Sequence, residues 1–236
     1  EAYTEAVLLA PKWPVVRVNR ALCHRRRGDW DAVLDDCEKV LVLERTNVKA
    51  AYMYGLAKLE KGEIEESVAR LDEALTLARE SGATIQDEIW RELSRAKYEK
   101  GRGPAEQRVR EFTALKSRLV TMLNAETGRS SSERGADIKL LEEMCAQALV
   151  RETVVEAPDS LCCSLTLSVF RDPMMSPSGF SFERGALLTH LAKNADDPIT
   201  RQPLREAQLV RNHGLRNACM AWLDEHPMAY GELSRA

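Results

Sequence analysis

No Cys-x-x-Cys spacing occurs anywhere in the 236 residues, and that absence removes the usual signature of a structural zinc site. Of the six cysteines, at 23, 37, 145, 162, 163 and 219, four stand alone in patterns that read as helices. The adjacent pair Cys162-Cys163 cannot readily close a disulfide. The four histidines, at 24, 190, 213 and 226, do not cluster with them. The cysteines are therefore read as small buried hydrophobes, with neither a metal nor a disulfide framework expected. Long apolar runs are missing too. Nothing approaches the length needed to span a membrane, and the N-terminal "EAYTEAVLLAPKW" lacks the charged, apolar and small-residue sections of a secretory signal. Charge of one sign is also lacking: 34 Lys and Arg against 37 Asp and Glu leave a net −3, which argues against wholesale binding to nucleic acid or a bilayer. Together these absences predict a cytoplasmic chain, with a nuclear setting also open, and no nucleic-acid or membrane partner. The length allows two compact units, each with its own core.

What is present begins with a repeat. Residues 15 to 78 superimpose on themselves at an offset of 34: Ala21 meets Gly55, Gly28 meets Gly62, Trp30 meets Ile64, Leu34 meets Val68, Val40 meets Ala74 and Leu41 meets Leu75. The same offset run backwards places Tyr3 opposite Cys37 and Ala6 opposite Val40, so the chain starts halfway through a repeat. Each unit reads as a helix, a turn at the glycine and a second helix. Ala21 and Gly55 allow close helix approach, and Trp30 and Ile64 fill the gap after the turn. One such hairpin cannot bury its apolar face alone, so neighbours stack into a solenoid with a concave groove.

This pattern resembles the tetratricopeptide repeat, over one and a half repeats plus a capping helix near 84 to 99. Its inner helices carry "RVNRALC", with Asn19 and Arg20, and "NVKAAYMYG", with Lys49, Tyr52 and Met53. That mixture of amide, cation and apolar surface suits an extended peptide ending in a carboxylate. The resemblance implies a carboxylate clamp for the Glu-Glu-Val-Asp tails of cytosolic heat-shock chaperones. Asn19 and Lys49 match its clamp positions, Tyr52 and Ile85 match places that receive an apolar side chain, and Glu88 matches an acidic position beyond the last repeat. The family's other clamp Lys and Asn lie on a first inner helix that this sequence lacks, so either the chain has been shortened or tail binding is weakened. The run "HRRRGD", His24 to Asp29, is read as capping a helix end against its dipole.

A Gly and Pro break is expected at 101 to 104. Beyond it, Phe112, Leu115, Leu119 and Met122 form one helical stripe and Ile138, Leu141, Cys145 and Leu149 another, separated by the turn-prone "TGRSSSERG". This predicts an antiparallel helical hairpin, either a self-associating coil or a spacer.

From Pro158 the pattern changes again. "LCCSLTLSVFRDP" is a loop with alternating apolar residues, "MMSPSGFSF" a short hairpin turning at Ser178-Gly179, and a helix begins near Glu183. "ADDPITRQPL" forms a second loop stiffened by Pro198 and Pro203, and the last helix runs through "LRNACMAWL". Residues 158 to 226 resemble a U-box, a relative of RING domains whose fold is held by polar contacts in place of zinc. Asp172, Glu183, Arg184, Asp197 and Arg201 are the candidates for that network. The resemblance implies that Leu165 and Leu167 of the first loop and Pro198, Arg201 and Pro203 of the second dock a ubiquitin-conjugating enzyme. No residue need act as acid, base or nucleophile. Cys162 and Cys163 have no flanking base or cation to activate them, and His190 reads as a structural histidine.

The expected fold is mainly α: a tetratricopeptide solenoid over 1–100, a helical hairpin over 101–157, and a small α+β, RING-like but zinc-free U-box over 158–236. In this order the parts resemble the CHIP-type co-chaperone ubiquitin ligases. That resemblance implies a ubiquitin-protein transferase without cofactor that ubiquitinates chaperone-bound clients, and it implies a homodimer. The alternative is a non-catalytic chaperone adaptor or scaffold.

Overall fold

The computed structural model describes residues 2–128, 130–150 and 156–233. It divides into two compact units. One holds the residues up to Cys145 together with Tyr230–Leu233; the other is Ala146–Ala229.

In the first unit, α1 (Ala2–Leu9), α2 (Pro14–Arg27), α3 (Trp30–Leu43), α4 (Val48–Glu60), α5 (Ile64–Ser81) and the first turns of α6 (Gln86–Ala125) stack in chain order. The repeat explains why. Gly28 and Gly62, paired at the offset of 34, both take the left-handed conformation (φ +72° and +79°) that closes a helix. Asp29 and Asn47 then cap the next helices, accepting from Ala32 N at 3.2 Å and Ala50 N at 3.0 Å. Gly55 sets the closest approach: a Cβ there would lie 2.8 Å from Leu71 Cγ, and its carbonyl accepts from Ser67 Oγ at 2.8 Å. Ala21, Val33, Val40, Leu71, Ala74, Ala78, Ile89 and Ala96 are fully buried between the layers. Cys37 occupies the position matching Leu71 and is as buried; burial pushes its thiol up to about 12. Asp36 beside it is 1 % exposed and takes Arg20 in a two-point grip, 2.7 and 2.6 Å, with Arg17 at 3.5 Å. Arg20 thus ties α2 to α3 and is not a groove residue, contrary to its sequence-based placement.

The break expected at 101–104 is absent. α6 runs unbroken from Gln86 to Ala125 through Gly101, Gly103 and Pro104. An interior proline costs about 3 kcal/mol, but Ala105 is buried, Arg102 bonds Glu99 at 2.7 Å, and strong helix formers flank the segment on both sides. α7 (Ser131–Leu149) turns back along the far half of α6 but only loosely: Lys116 Nζ lies 3.1 Å from Glu142 Oε1, without the close backbone approach that the solenoid helices make and with no buried residue on α7. Phe112, Leu115, Met122, Leu140 and Met144 stay exposed on the two helices. The sequence also assigned the last residues to the C-terminal module; α10 (Tyr230–Leu233) packs instead on α6. There Lys97 Nζ donates to the buried Tyr230 hydroxyl at 3.0 Å, and a Cβ on Gly231 would lie 2.9 Å from the Tyr98 ring.

The second unit is a three-stranded antiparallel sheet, β1 (Pro173–Met175) between β2 (Ser181–Glu183) and β3 (Val210–Arg211), with α8 (Arg184–Leu191) and α9 (His213–Glu225) beside it. Met174 faces Phe182 on one side and Arg211 on the other. Phe182, Leu187, Cys219 and Leu223 are fully buried. Asn212 caps α9 by accepting from Leu215 N at 3.0 Å and donates to Ser181 Oγ at 3.1 Å, joining helix to sheet. Solenoid, hairpin and small α+β module match the expected fold class.

Candidate functional site

Each unit carries one candidate surface. In the first, α2, α4 and the start of α6 open a groove of about 150 Å³ lined by Val18, Asn19, Leu22, Arg25, Lys49, Tyr52, Met53, Ile85 and Glu88. All five residues expected to hold a tail, Asn19, Lys49, Tyr52, Ile85 and Glu88, meet there. Lys49 stands exposed in the first turn of α4. Neither it nor Asn19 makes a side-chain hydrogen bond or ion pair among the described residues, which leaves a cation and an amide free to donate to an incoming carboxylate. Glu88 lies in the first turn of α6, where a carboxylate meets the positive end of the helix dipole. It accepts from Tyr52 OH at 2.8 Å and from Arg25 at 3.3 Å. The Arg25 guanidinium also lies 5.4 Å from the Tyr52 ring centre. Burial, reinforced by the bond to Glu88, raises the Tyr52 phenol well above its ordinary value, so it stays a donor at neutral pH. Arg25 was missed from the sequence, where it sits inside a run that reads as a helix cap.

The second surface is made of two loops with one geometry. Residues 162–169 are closed by an antiparallel bridge between Cys162 and Val169, and residues 196–203 by one between Asp196 and Pro203. Cys163 N donates to Ser168 O at 2.9 Å, and Asp197 N to Gln202 O at 2.8 Å. Leu167 and Arg201 have φ of +54° and +59°, the only non-glycine residues with positive φ among those described. This conformation is uncommon for side chains of their size. Every correspondence again spans 34 residues, though these are loop closures and not helical repeats. Leu165 is 39 % exposed, Leu167 83 % and Ile199 47 %, three apolar tips in water. Pro198 is half-buried, Pro203 exposed, and the exposed Arg201 keeps its guanidinium 3.7 Å from Asp196. Ile199 is the loop-two equivalent of Leu165 and was overlooked in the sequence.

Asp197 organises the second loop. Only 2 % exposed, it accepts from Ile199 N and Thr200 N, both at 2.9 Å, and from Ser176 and Ser178 hydroxyls at 2.8 and 2.7 Å. Burial alone would raise its pKa, but these four bonds overcome that and hold it well below the ordinary carboxylate range. Glu183 gathers Arg171 N and Asp172 N at 2.9 and 3.1 Å; for it burial prevails and the pKa is raised. Of the other network candidates, Asp172 accepts from Arg184 N through its carbonyl at 3.1 Å. His190 Nε2 meets Asp196 Oδ1 at 2.8 Å, pinning the start of the second loop. No group of three His, Cys, Asp or Glu among the described residues could hold a metal ion. The Cys162 thiol is raised by burial and by Asp159, which weakens it as a nucleophile.

A small RING-like module whose loops are gathered by hydrogen bonds in place of metal is a U-box, and the U-box domain family matches residues 157–228. The chain is 41 % identical to the E3 ubiquitin-protein ligase CHIP of Arabidopsis thaliana, covering 98 % of this chain and 88 % of that protein. It is 30 % identical to U-box domain-containing protein 37 of the same plant over 71 % of this chain and 46 % of the relative. With the WD repeat, SAM and U-box domain-containing protein 1 of Danio rerio it shares 33 % identity over 28 % of its own length and 14 % of the relative's. The protein is therefore a U-box ubiquitin-protein ligase. Within that class it belongs to the CHIP family, whose match runs through the helical first unit as well as the U-box.

Proposed function

We propose that this ligase reads the carboxylate-ended tails of cytosolic heat-shock chaperones with its solenoid groove and recruits a charged ubiquitin-conjugating enzyme on its paired loops. Clients held by the chaperone are then ubiquitinated. The observation that carries the reading is the groove: an unengaged cation and amide, Lys49 and Asn19, beside an apolar wall of Val18, Leu22, Met53 and Ile85. The tail's terminal carboxylate accepts from Lys49 and Asn19, and its apolar side chain lies against Tyr52 and Ile85. Glu88, already paired, narrows the far end. On the other surface Leu165, Leu167 and Ile199 dock on apolar ground of the conjugating enzyme, with Pro198 and Pro203 at the rim and Arg201 donating hydrogen bonds.

The ligase contributes position and no covalent intermediate. A client lysine amine attacks the thioester carbonyl, an isopeptide bond forms, and the conjugating enzyme's thiolate leaves; restraining the thioester raises the fraction of attack-ready encounters. The exposed apolar residues of α6 and α7 suit a homodimer, and these partners place the protein in the cytoplasm, with the nucleus also open to it.

Two titrations test this. A chaperone-tail peptide should bind at least about tenfold more tightly than its C-terminally amidated twin, and Lys49→Ala should remove that difference. Equal affinity of the two peptides for the parent overturns the tail assignment. In ubiquitin discharge from a charged conjugating enzyme, Leu165→Ala should abolish stimulation while the U-box stays folded. Full activity in that variant overturns the docking assignment.

A further inference from the structure

We infer that Cys163 is a positioning residue for recruitment of the conjugating enzyme: its buried sulfur sets the first loop as the Asp197 carboxylate sets the second. The inference rests on the reading of the paired loops as the docking surface.

The two residues occupy equivalent points of the duplicated geometry. Beyond the bridges and positive-φ positions already given, Leu167 N donates to Cys163 O at 2.7 Å where Arg201 N donates to Asp197 O at 2.9 Å. Phe170 N donates to Leu161 O at 3.0 Å where Leu204 N donates to Ala195 O at 3.0 Å. The side chains then do the same work with different chemistry. Asp197 takes the amide two residues on, Ile199 N, and Cys163 Sγ likewise accepts from the amide two residues on, Leu165 N, at 3.4 Å.

Each residue also reaches the same hairpin at a different place. Asp197 holds Ser176 and Ser178 at its turn, while Cys163 Sγ accepts from Glu183 N at 3.2 Å, at the end of β2. The β1–β2 hairpin is thus a common ruler with one loop fastened at each end. The spacing between the apolar tips Leu165 and Ile199 is set by those two fastenings. A thiol sulfur is a weak acceptor beside a carboxylate, so the first loop is held by the lighter of the two. Cys163 is 1 % exposed and touches no partner itself; it acts through Leu165.

The test is the rate of ubiquitin discharge from a charged conjugating enzyme to free lysine, measured against ligase concentration for the full chain and for Cys163→Ala, Cys163→Ser and Leu165→Ala. Amide hydrogen exchange at Leu165 and Glu183 is followed in parallel. Cys163→Ala should raise the half-saturating ligase concentration about tenfold with the plateau rate unchanged, and should speed exchange at both amides. Cys163→Ser, which restores an acceptor, should recover part of both effects. Unchanged half-saturation in Cys163→Ala while Leu165→Ala is inactive overturns the positioning role and leaves the docking surface standing. Full activity of Leu165→Ala overturns the docking surface, and the inference with it. If Cys163→Ala fails to fold, Cys163→Ser decides. A folded serine variant with parental half-saturation and faster Leu165 exchange would show that the bond does not govern recruitment.

Discussion

Asp36 in the solenoid and Asp197 in the U-box are buried alike, 1 % and 2 % exposed, yet their charges are met in opposite ways. Two arginines neutralise Asp36 across the α2–α3 interface. Asp197 has two hydroxyls and two backbone amides and, among the described residues, no bonded cation. Where regular helices already fix the backbone, a buried carboxylate needs only a counter-charge, and the ion pair acts as a staple between finished elements. Where the backbone is a loop with a positive φ, the carboxylate must impose the shape. It does so by drawing several donors to one point, as a metal ion draws ligands.

The comparison can be broken most forcefully from the solenoid side. Asp36→Ala should cost about 3 to 5 kcal/mol, because it strands the two-point Arg20 grip beside a buried void. Urea unfolding followed at Trp90 would measure it, and discharge activity below the transition should be unaffected. A loss under 1 kcal/mol would mean that the arginines find water easily and that the staple is dispensable.

Asp197→Asn sharpens the other side. It keeps the volume but gives up the charge-assisted bonds, for a loss of about 1.5 to 3 kcal/mol. The sign of its pH dependence follows from the depressed pKa. The parent's advantage is present above the ordinary aspartate value of about 3.9 and is lost as pH falls through the lower folded value. Thermal unfolding of parent and variant should therefore run parallel at neutral pH and converge in strong acid. A gap that persists at the lowest pH would assign the effect to packing.

The smallest change is a control. Lys116→Ala removes an exposed pair with Glu142 and should cost no more than about 0.5 kcal/mol, less at high salt.

These contrasts also explain what was legible in the sequence. The groove was, through the resemblance to tetratricopeptide clamps: Asn19, Lys49, Tyr52, Ile85 and Glu88 come from three helices that the stacked repeats bring to one groove. Arg25 could have been found by helical spacing. Val18, Leu22 and Arg25 stand at i, i+4 and i+7 on one face of α2, but the basic run around Arg25 hid it behind a helix-dipole reading. The twin loops were harder. At the offset of 34, Thr166 and Thr200 are identical, but Cys162-Cys163 meets Asp196-Asp197 and Leu167 meets Arg201, so equal backbones carry unlike chemistry. Gly101 to Pro104 misled for the opposite reason, since a strong local signal was overruled by buried Ala105 and the helix formers around it.

That uninterrupted α6 has a mechanical meaning. At 40 residues it is a rod about 60 Å long. Its near end, beginning at the Ile85 cap, forms a wall of the groove, and its far end carries the exposed Phe112, Leu115 and Met122. A tilt of 1° in its first turn sweeps its last residue through about 1 Å, so a displacement too small to notice beside a bound peptide becomes an atomic diameter or more at the hairpin after a few degrees. Pro104 forfeits one amide hydrogen bond midway along this rod, so the stiffness retained there governs how much of that sweep arrives.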